Sequence, residues 1–597
     1  MIRPAAVRYG AHVSFDVILF MPAPFTDHPS FPEALIARSL ERAGFSVGVI
    51  EQPHWQSADD FARCGRPGLF AGIVPGPVDS VALNFTSTGK RRNEDLYQPE
   101  GNAYFPDMPP SVSSRIRPDR TLTVFASRIR EALGPVPLVI GGLEASLRRF
   151  AHWDFQQQAI RRPILLDTRA DLVVSGMGEL QIVEIARAAA RGEILSDADI
   201  PGTVRIAKTC PDNPVLLPDA AAVADTPSLL LTQYLDEHRA IREGRPVVQP
   251  AGGRFVVSQP PMVYSREDLD AIYGMPFTRA HGWMRDTRPT EGAPTPALLM
   301  NRFSVTTHRG CAGGCAFCSI AAHQGRGVVS RSRASILNEI GAMQRHPDWR
   351  GVIGDVGGAS AEMWEADCAR CQRASCLSPG LCTHYPAPGA QAWQSLLKEI
   401  RSLDGIRQVN LGSGVRYEVL LENPSLLEDL LRHHSGQFLR IAPEHTEDHI
   451  LSLMKKPPFA VFERFVHLFE TIVRRLPRPI RLAPYLIVGH PGETAGDVVR
   501  MRDKLKALGL FGQADVQIFT PTPGSLATAM YCSGQDEHGH TIAVERNMVE
   551  LVRRQRMLID SEKSERKPGA PRLDAGRDAP KHGKRKDAPR GGKRFTR

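Results

Sequence analysis

The chain has 597 residues, 42% of them hydrophobic and 23% charged, with a formal net charge of +9. That length exceeds one hydrophobic core and implies two or three domains. Ten cysteines are too sparse for a disulfide scaffold, no stretch approaches the ~20 apolar residues of a membrane span, and the first residues lack a charged-then-apolar leader, so a cytoplasmic protein with no membrane attachment is expected.

Residues 1–205 read as an open α/β domain. Phe15-Asp-Val-Ile-Leu-Phe20 is a short apolar strand run, and 32–43 has helical spacing with Leu35, Ile36 and Leu40 on one side. Strand runs follow at 45–50 and 79–84. A helix is expected over 121–133, then a strand ending at Gly141-Gly142. A further strand ends at Gly176-Met-Gly-Glu179, and a helix covers 180–190. Strands alternating with helices predict a mostly parallel, Rossmann-like sheet whose ligands lie at the carboxyl ends of its strands. Residues 206–300 hold Pro and Gly clusters with one helical stretch near 227–243, and read as a structured connector.

From Asn301 to residue 562 the strand–loop–helix pattern resumes, as a partial or full (β/α) barrel would require. Its first strand, 302–307, ends at Cys311-Ala-Gly-Gly-Cys-Ala-Phe-Cys318. Three thiolates from one loop are one too few to ligate all four irons of a 4Fe-4S cube, so one iron would stay open. A zinc knuckle with a distant fourth ligand, or plain thiols, would use the same residues. The second strand ends at Gly357-Gly358. A later one ends at Val409-Asn-Leu-Gly-Ser-Gly-Val-Arg416, where Ser413 and Arg416 offer a hydroxyl and a guanidinium beside glycines. Glu444 and His445 stand after another strand, as acid–base or orienting groups.

A second cysteine group, Cys368, Cys371, Cys376 and Cys382, lies in a loop-like insert near 365–386, with His384 as an alternative ligand. It suggests a second metal site, iron–sulfur or structural zinc, against the alternative of unligated thiols. Residues 563–597 carry thirteen Lys and Arg against four Asp and Glu, which accounts for the whole net charge. This basic tail is expected to be disordered; it could dock on RNA or ribosomes, against the alternative of a solubilising, weakly sticky tail.

The cysteine loop resembles that of the radical S-adenosylmethionine (SAM) superfamily. With its flanks, His308-Arg-Gly310 and His323-Gln-Gly-Arg326, and with Asp27-His-Pro-Ser-Phe31, Lys90-Arg-Arg92 and Gly141-Gly-Leu-Glu-Ala-Ser-Leu-Arg-Arg149, it resembles the YgiQ-type radical SAM family over about residues 10–560. The resemblance implies a 4Fe-4S cluster on Cys311, Cys315 and Cys318, with SAM on the open iron. Gly357, Gly358, Ser413 and Arg416 are then its candidate contacts. Gly489-His-Pro-Gly-Glu-Thr494 resembles a strand end of the methylthiotransferase branch. The glycine sites at 141–142 and 176–179 resemble a cobalamin-binding domain. The Asp-x-His-x-x-Gly loop that usually ligates cobalamin is absent, however, and Thr26-Asp-His-Pro-Ser-Phe31 does not match it, so no cobalamin is expected. The reading is a radical SAM enzyme that cleaves SAM reductively to a 5′-deoxyadenosyl radical, takes its electron from a flavodoxin or ferredoxin, and acts on an unknown substrate such as RNA or protein. A non-catalytic iron–sulfur protein that binds RNA or senses redox state is the alternative.

Overall fold

The computed structural model describes residues 14–282, 294–368, 375–382, 385 and 387–559. Cys371, His384 and the basic tail lie outside the described residues.

The amino-terminal sheet begins with β1 (Val17–Met21), buried along its whole length. Its side chains alternate as a strand requires. Ile18 and Phe20 enter one hydrophobic cluster, Val17, Leu19 and Met21 the other. Helix α1 (Pro32–Arg42) follows, with proline at its first turn. Then come β2 (Val47–Glu51) and β3 (Phe70–Ile73). The run expected as a strand at 79–84 is instead a helical turn, α2 (Ser80–Asn84). The carboxylate of Asp79 accepts hydrogen bonds from the N–H groups of Val81 and Ala82, and this cap selects helix. The expected helix over 121–133 forms as α3 (Thr121–Leu133), and β4 (Leu138–Ile140), α4 (Gly142–Leu147), β5 (Leu172–Val174) and α5 (Glu179–Ala190) follow it.

Strands β2-β1-β3-β4-β5 are parallel neighbours in that order. The order reverses between β1 and β3, and such a switch point opens a crevice at the strand ends. The sheet does not stop at residue 205. Strands β6 (Thr203–Ala207), β7 (Val215–Leu216), β8 (Val247–Ala251) and β9 (Arg254–Ser258) extend it in the order β5-β6-β9-β8-β7. The stretch expected as a connector therefore supplies sheet, together with α6 (Leu229–Glu243). The turn between β8 and β9 is Gly252-Gly253, both left-handed at φ 60° and 74°, as a tight hairpin requires.

The barrel half has its strands in two parallel arcs. In the first, β10 (Ser304–Thr306) pairs with β12 (Asp355–Gly357), and β11 (Val352–Ile353) with β13 (Gln408–Val409). In the second, β14 (Phe438–Glu444), β15 (Arg481–Val488) and β16 (Asp515–Ile518) pair in sequence. Along β15, Leu482, Pro484, Leu486 and Val488 are buried while their neighbours are half-buried or exposed. Sheet and barrel belong to one compact unit that runs to Ile559. Among the described residues no helix is long and apolar enough to cross a membrane.

Buried ion pairs join the two halves. Arg309, just before the cysteine loop, reaches Glu179 at the start of α5 at 2.6 Å, with side chains 6% and 2% exposed. Glu339 takes Arg331 at 2.5 Å and also Arg279. Asp27 holds Arg38 at 2.6 Å and pairs by backbone with Ala280. Replacing Glu179 by Ala strands a buried guanidinium. It is expected to cost about 3–5 kcal/mol in a denaturant titration, and the double change Glu179→Leu with Arg309→Met is expected to cost less than the single one.

Candidate functional site

The cysteine loop leaves β10 and is shaped by one close contact. Gly310 is left-handed at φ 87°, and a Cβ there would stand 2.0 Å from the carbonyl oxygen of Gly327. No side chain fits. The three thiols are half-buried and unbridged. Burial pushes the Cys318 thiol up to about 12. Burial, with the neighbouring Cys315, also raises Cys311. Unligated, Cys311 and Cys318 stay protonated, and a metal that binds them must displace those protons.

Arg416 is brought against this loop from the segment that follows β13. Its Nη1 lies 3.4 Å from Cys315 Sγ. Its Nε stands 2.9 Å from a carboxylate oxygen of buried Glu418, without hydrogen-bond alignment. The guanidinium sits where thiolate charge would gather. Glu362 is buried in the same region, its carboxyl raised to about 7 by burial.

Gly357 and Gly358 end β12 as expected. A Cβ on Gly358 would stand 2.7 Å from the ring of His308, so that strand end is a backbone-lined wall. Ser413 lies against Gly357, but its hydroxyl donates to Asp355, and Asp355 also accepts the N–H groups of Gly412 and Ser413 at 2.9 and 3.0 Å. His308 and Asp355 were not singled out from the sequence, although His308 lies within the quoted motif. The structure shows why they matter here: both line a cavity of about 1110 Å³, counting space open to solvent, together with Gly357, Gly358, Ser413 and His323. Its opposite wall comes from the sheet half, through Pro29, Gly76, Gly142 and Met177. A second, apolar cavity of about 590 Å³ adjoins it at the carboxyl ends of β1, β3, β4 and β5, lined among others by Leu19, Ile140, Gly141 and Gly176. This is the crevice that the strand order demands.

Other motif residues lie in local contacts of their own. His445 accepts from the N–H of Glu447 at 3.0 Å and lies 3.4 Å from Glu493. Glu493 accepts from the N–H of Gly489 at 2.8 Å, and Thr494 caps the helix over Ala495–Ala507. Glu444 is buried in a left-handed turn at φ 72°. Arg91 is bound bidentately to Asp119. Of the second cysteine group, Cys368, Cys376 and Cys382 are described, and Cys382 N–H donates to the carbonyl of Cys376 at 2.7 Å. Among the described residues no three His, Cys, Asp or Glu side chains converge to hold a single ion. A four-iron cube takes its thiolates at separate corners and does not need such convergence.

A family model described as radical SAM N-terminal matches residues 5–304. A UPF0313 protein of Geobacter sulfurreducens is 40% identical, over 87% of this chain and 85% of its own length. One from Methanosarcina mazei is 36% identical, over 90% of each. The fold is similar to that of the radical SAM methyltransferase TsrM from Kitasatospora setae, solved with cobalamin and a [4Fe-4S] cluster bound, at a TM-score of 0.51 and 17% identity, covering 93% of this chain and 92% of that one. This overturns the expectation that cobalamin has no place here. That expectation rested on a missing ligand loop, but the similar fold of TsrM was solved with cobalamin bound, and the loop's absence removes a ligand without closing the crevice.

Gly310→Ala is expected to leave the helical content seen by circular dichroism unchanged while the anaerobically reconstituted chain loses most of its iron. Retention of full iron would show that the loop tolerates a side chain at this contact.

Proposed function

The chain belongs to the YgiQ-type, UPF0313 family of radical SAM proteins, and from that premise we propose an enzyme in which Cys311, Cys315 and Cys318 hold a 4Fe-4S cube, SAM completes it, and the crevice between sheet and barrel receives a corrinoid. When bound, such a cube supplies one electron to the SAM sulfonium, and cleavage gives methionine and a 5′-deoxyadenosyl radical that takes hydrogen from the substrate.

The observation that carries this reading is three thiols on one eight-residue loop with the Arg416 guanidinium 3.4 Å from the middle sulfur. The chain's own residues have distinct tasks. Arg416 offsets thiolate charge, and Gly357 and Gly358 offer backbone for close approach of SAM. Ser413, fixed by Asp355, presents an oxygen that can accept from the ribose. The sheet half covers the cavity and limits the access of water to a reactive intermediate. For the corrinoid, the residues fit. The crevice is apolar, and the 590 Å³ and 1110 Å³ cavities adjoin at Pro32, Gly142, Met177 and His323. The electron comes from an external donor of flavodoxin or ferredoxin type.

Full-length chain reconstituted without oxygen and given SAM and dithionite is expected to release 5′-deoxyadenosine. The variant with serine at 311, 315 and 318 is expected to release none. An intact cluster whose spectrum ignores SAM and yields no product would favour a non-catalytic iron–sulfur protein.

A further inference from the structure

The apolar crevice at the sheet's strand ends is met by one imidazole. His323 belongs to a helical turn, Ile320–Gln324, that starts directly after the cysteine loop, yet it lines both cavities. Its Nδ1 lies 2.9 Å from the hydroxyl of Ser146 in α4. That hydroxyl has a single hydrogen, which it donates to the carbonyl of Gly142 at 2.9 Å. The same oxygen accepts from the N–H of Gly176 at 3.0 Å. With that hydrogen on Gly142, Ser146 accepts from His323 and Nδ1 carries the ring hydrogen; the other tautomer requires the hydroxyl to turn from Gly142 to the ring. Burial lowers the His323 pKa to about 4, so the ring is neutral at ordinary pH. A neutral ring protonated at Nδ1 leaves a bare lone pair on Nε2, and that nitrogen has no hydrogen-bond partner among the described residues.

An imidazole fixed by a hydroxyl on its far nitrogen is oriented as metal-bound histidines are. One donor alone cannot build a site for a free ion, which needs three or four. Among the described residues the other charged or metal-ligating side chains lining the smaller cavity are Glu179, which is committed to Arg309, and Met177, whose thioether is a soft donor. A single donor suits a metal that brings its own equatorial ligands. We propose that His323 ligates the cobalt of a corrinoid through Nε2. The inference rests on the corrinoid part of the functional reading. It also accounts for the absent Asp-x-His-x-x-Gly loop, because the ligand comes from the barrel half. His28, the histidine of the sheet-side Asp27-His28 motif, has both nitrogens engaged. Its Nδ1 accepts from the N–H of Ser30 at 3.0 Å, and its Nε2 lies 2.8 Å from Arg279.

The test uses the full chain loaded without oxygen with cob(II)inamide, a corrinoid that lacks the nucleotide base and so brings no axial nitrogen. In the electron paramagnetic resonance spectrum each cobalt line is expected to split in three, and in two when the protein carries ¹⁵N-histidine. His323→Ala and His323→Gln should abolish the splitting and hold cobinamide about 10–100-fold more weakly. Ser146→Ala, which frees the ring without removing it, should weaken binding about tenfold with the splitting kept. Splitting that survives in both His323 variants, or bound cobinamide with unsplit lines in the parent chain, overturns the assignment. Failure to bind cobinamide by a chain that still forms 5′-deoxyadenosine overturns the ligand and the corrinoid together and leaves SAM cleavage standing. Failure of both removes the functional reading as well.

Discussion

The arrangement depends on one buried charge pair. Arg309 precedes the cysteine loop by two residues, and Glu179 opens the helix after β5. Their 2.6 Å contact sets the loop against the sheet. Tyr264 donates to the other Glu179 oxygen at 3.1 Å, and Arg309 lies over the Tyr273 ring at 5.2 Å. Burying such a pair is costly unless every partner is in place. The same requirement fixes the distance between the two cavities, because Glu179 lines one and Arg309 the other.

A second clasp repeats the principle on the other side. Arg279 reaches the carbonyls of Arg302 and Ser304, where the first barrel strand begins, at 2.7 and 3.2 Å. Arg331 reaches the carbonyl of Thr306 at 2.7 Å and stacks over Tyr273 at 4.3 Å. Glu339 neutralises both guanidinium groups. The Thr26-Asp27-His28 segment, which in sequence invites comparison with a cofactor loop, closes this clasp: Thr26 and Asp27 pair with His281 and Ala280. Conspicuous polar motifs outside the cysteine loop thus serve mainly to mount it.

Much of this was legible in the chain. Apolar runs and helical spacing located β1, β2, β4 and β5 and the helices α1, α3 and α5, because burial on both faces of a parallel sheet leaves a plain signal. The run 79–84 was misread, since the apolar tripeptide Val81-Ala-Leu83 fits either state and only the Asp79 cap decides. Strand β3 was missed: Phe70-Ala-Gly-Ile73 is too short and too small to register. The sheet's extension through 203–258 carried a usable sign in Gly252-Gly253, but strands paired with partners about 50 residues away give no local cue. At the site, spacing identified the thiols and the strand-end glycines. His308, Asp355 and the Ser146–His323 contact depend on elements distant in sequence, and no periodicity reports them.

The cysteine-rich insert has a consequence for how the protein matures. Ser375 donates its hydroxyl to the carbonyl of Gly313 at 2.6 Å, and Cys376 donates its N–H to that of Ala312 at 3.0 Å. The cysteine loop is thus braced by a segment some 62 residues downstream. Contacts that distant form late on a folding route. A newly made chain would therefore expose its three thiols as a pliable hairpin first and as a rigid socket only afterwards, so the moment at which metal arrives decides which of the two it meets.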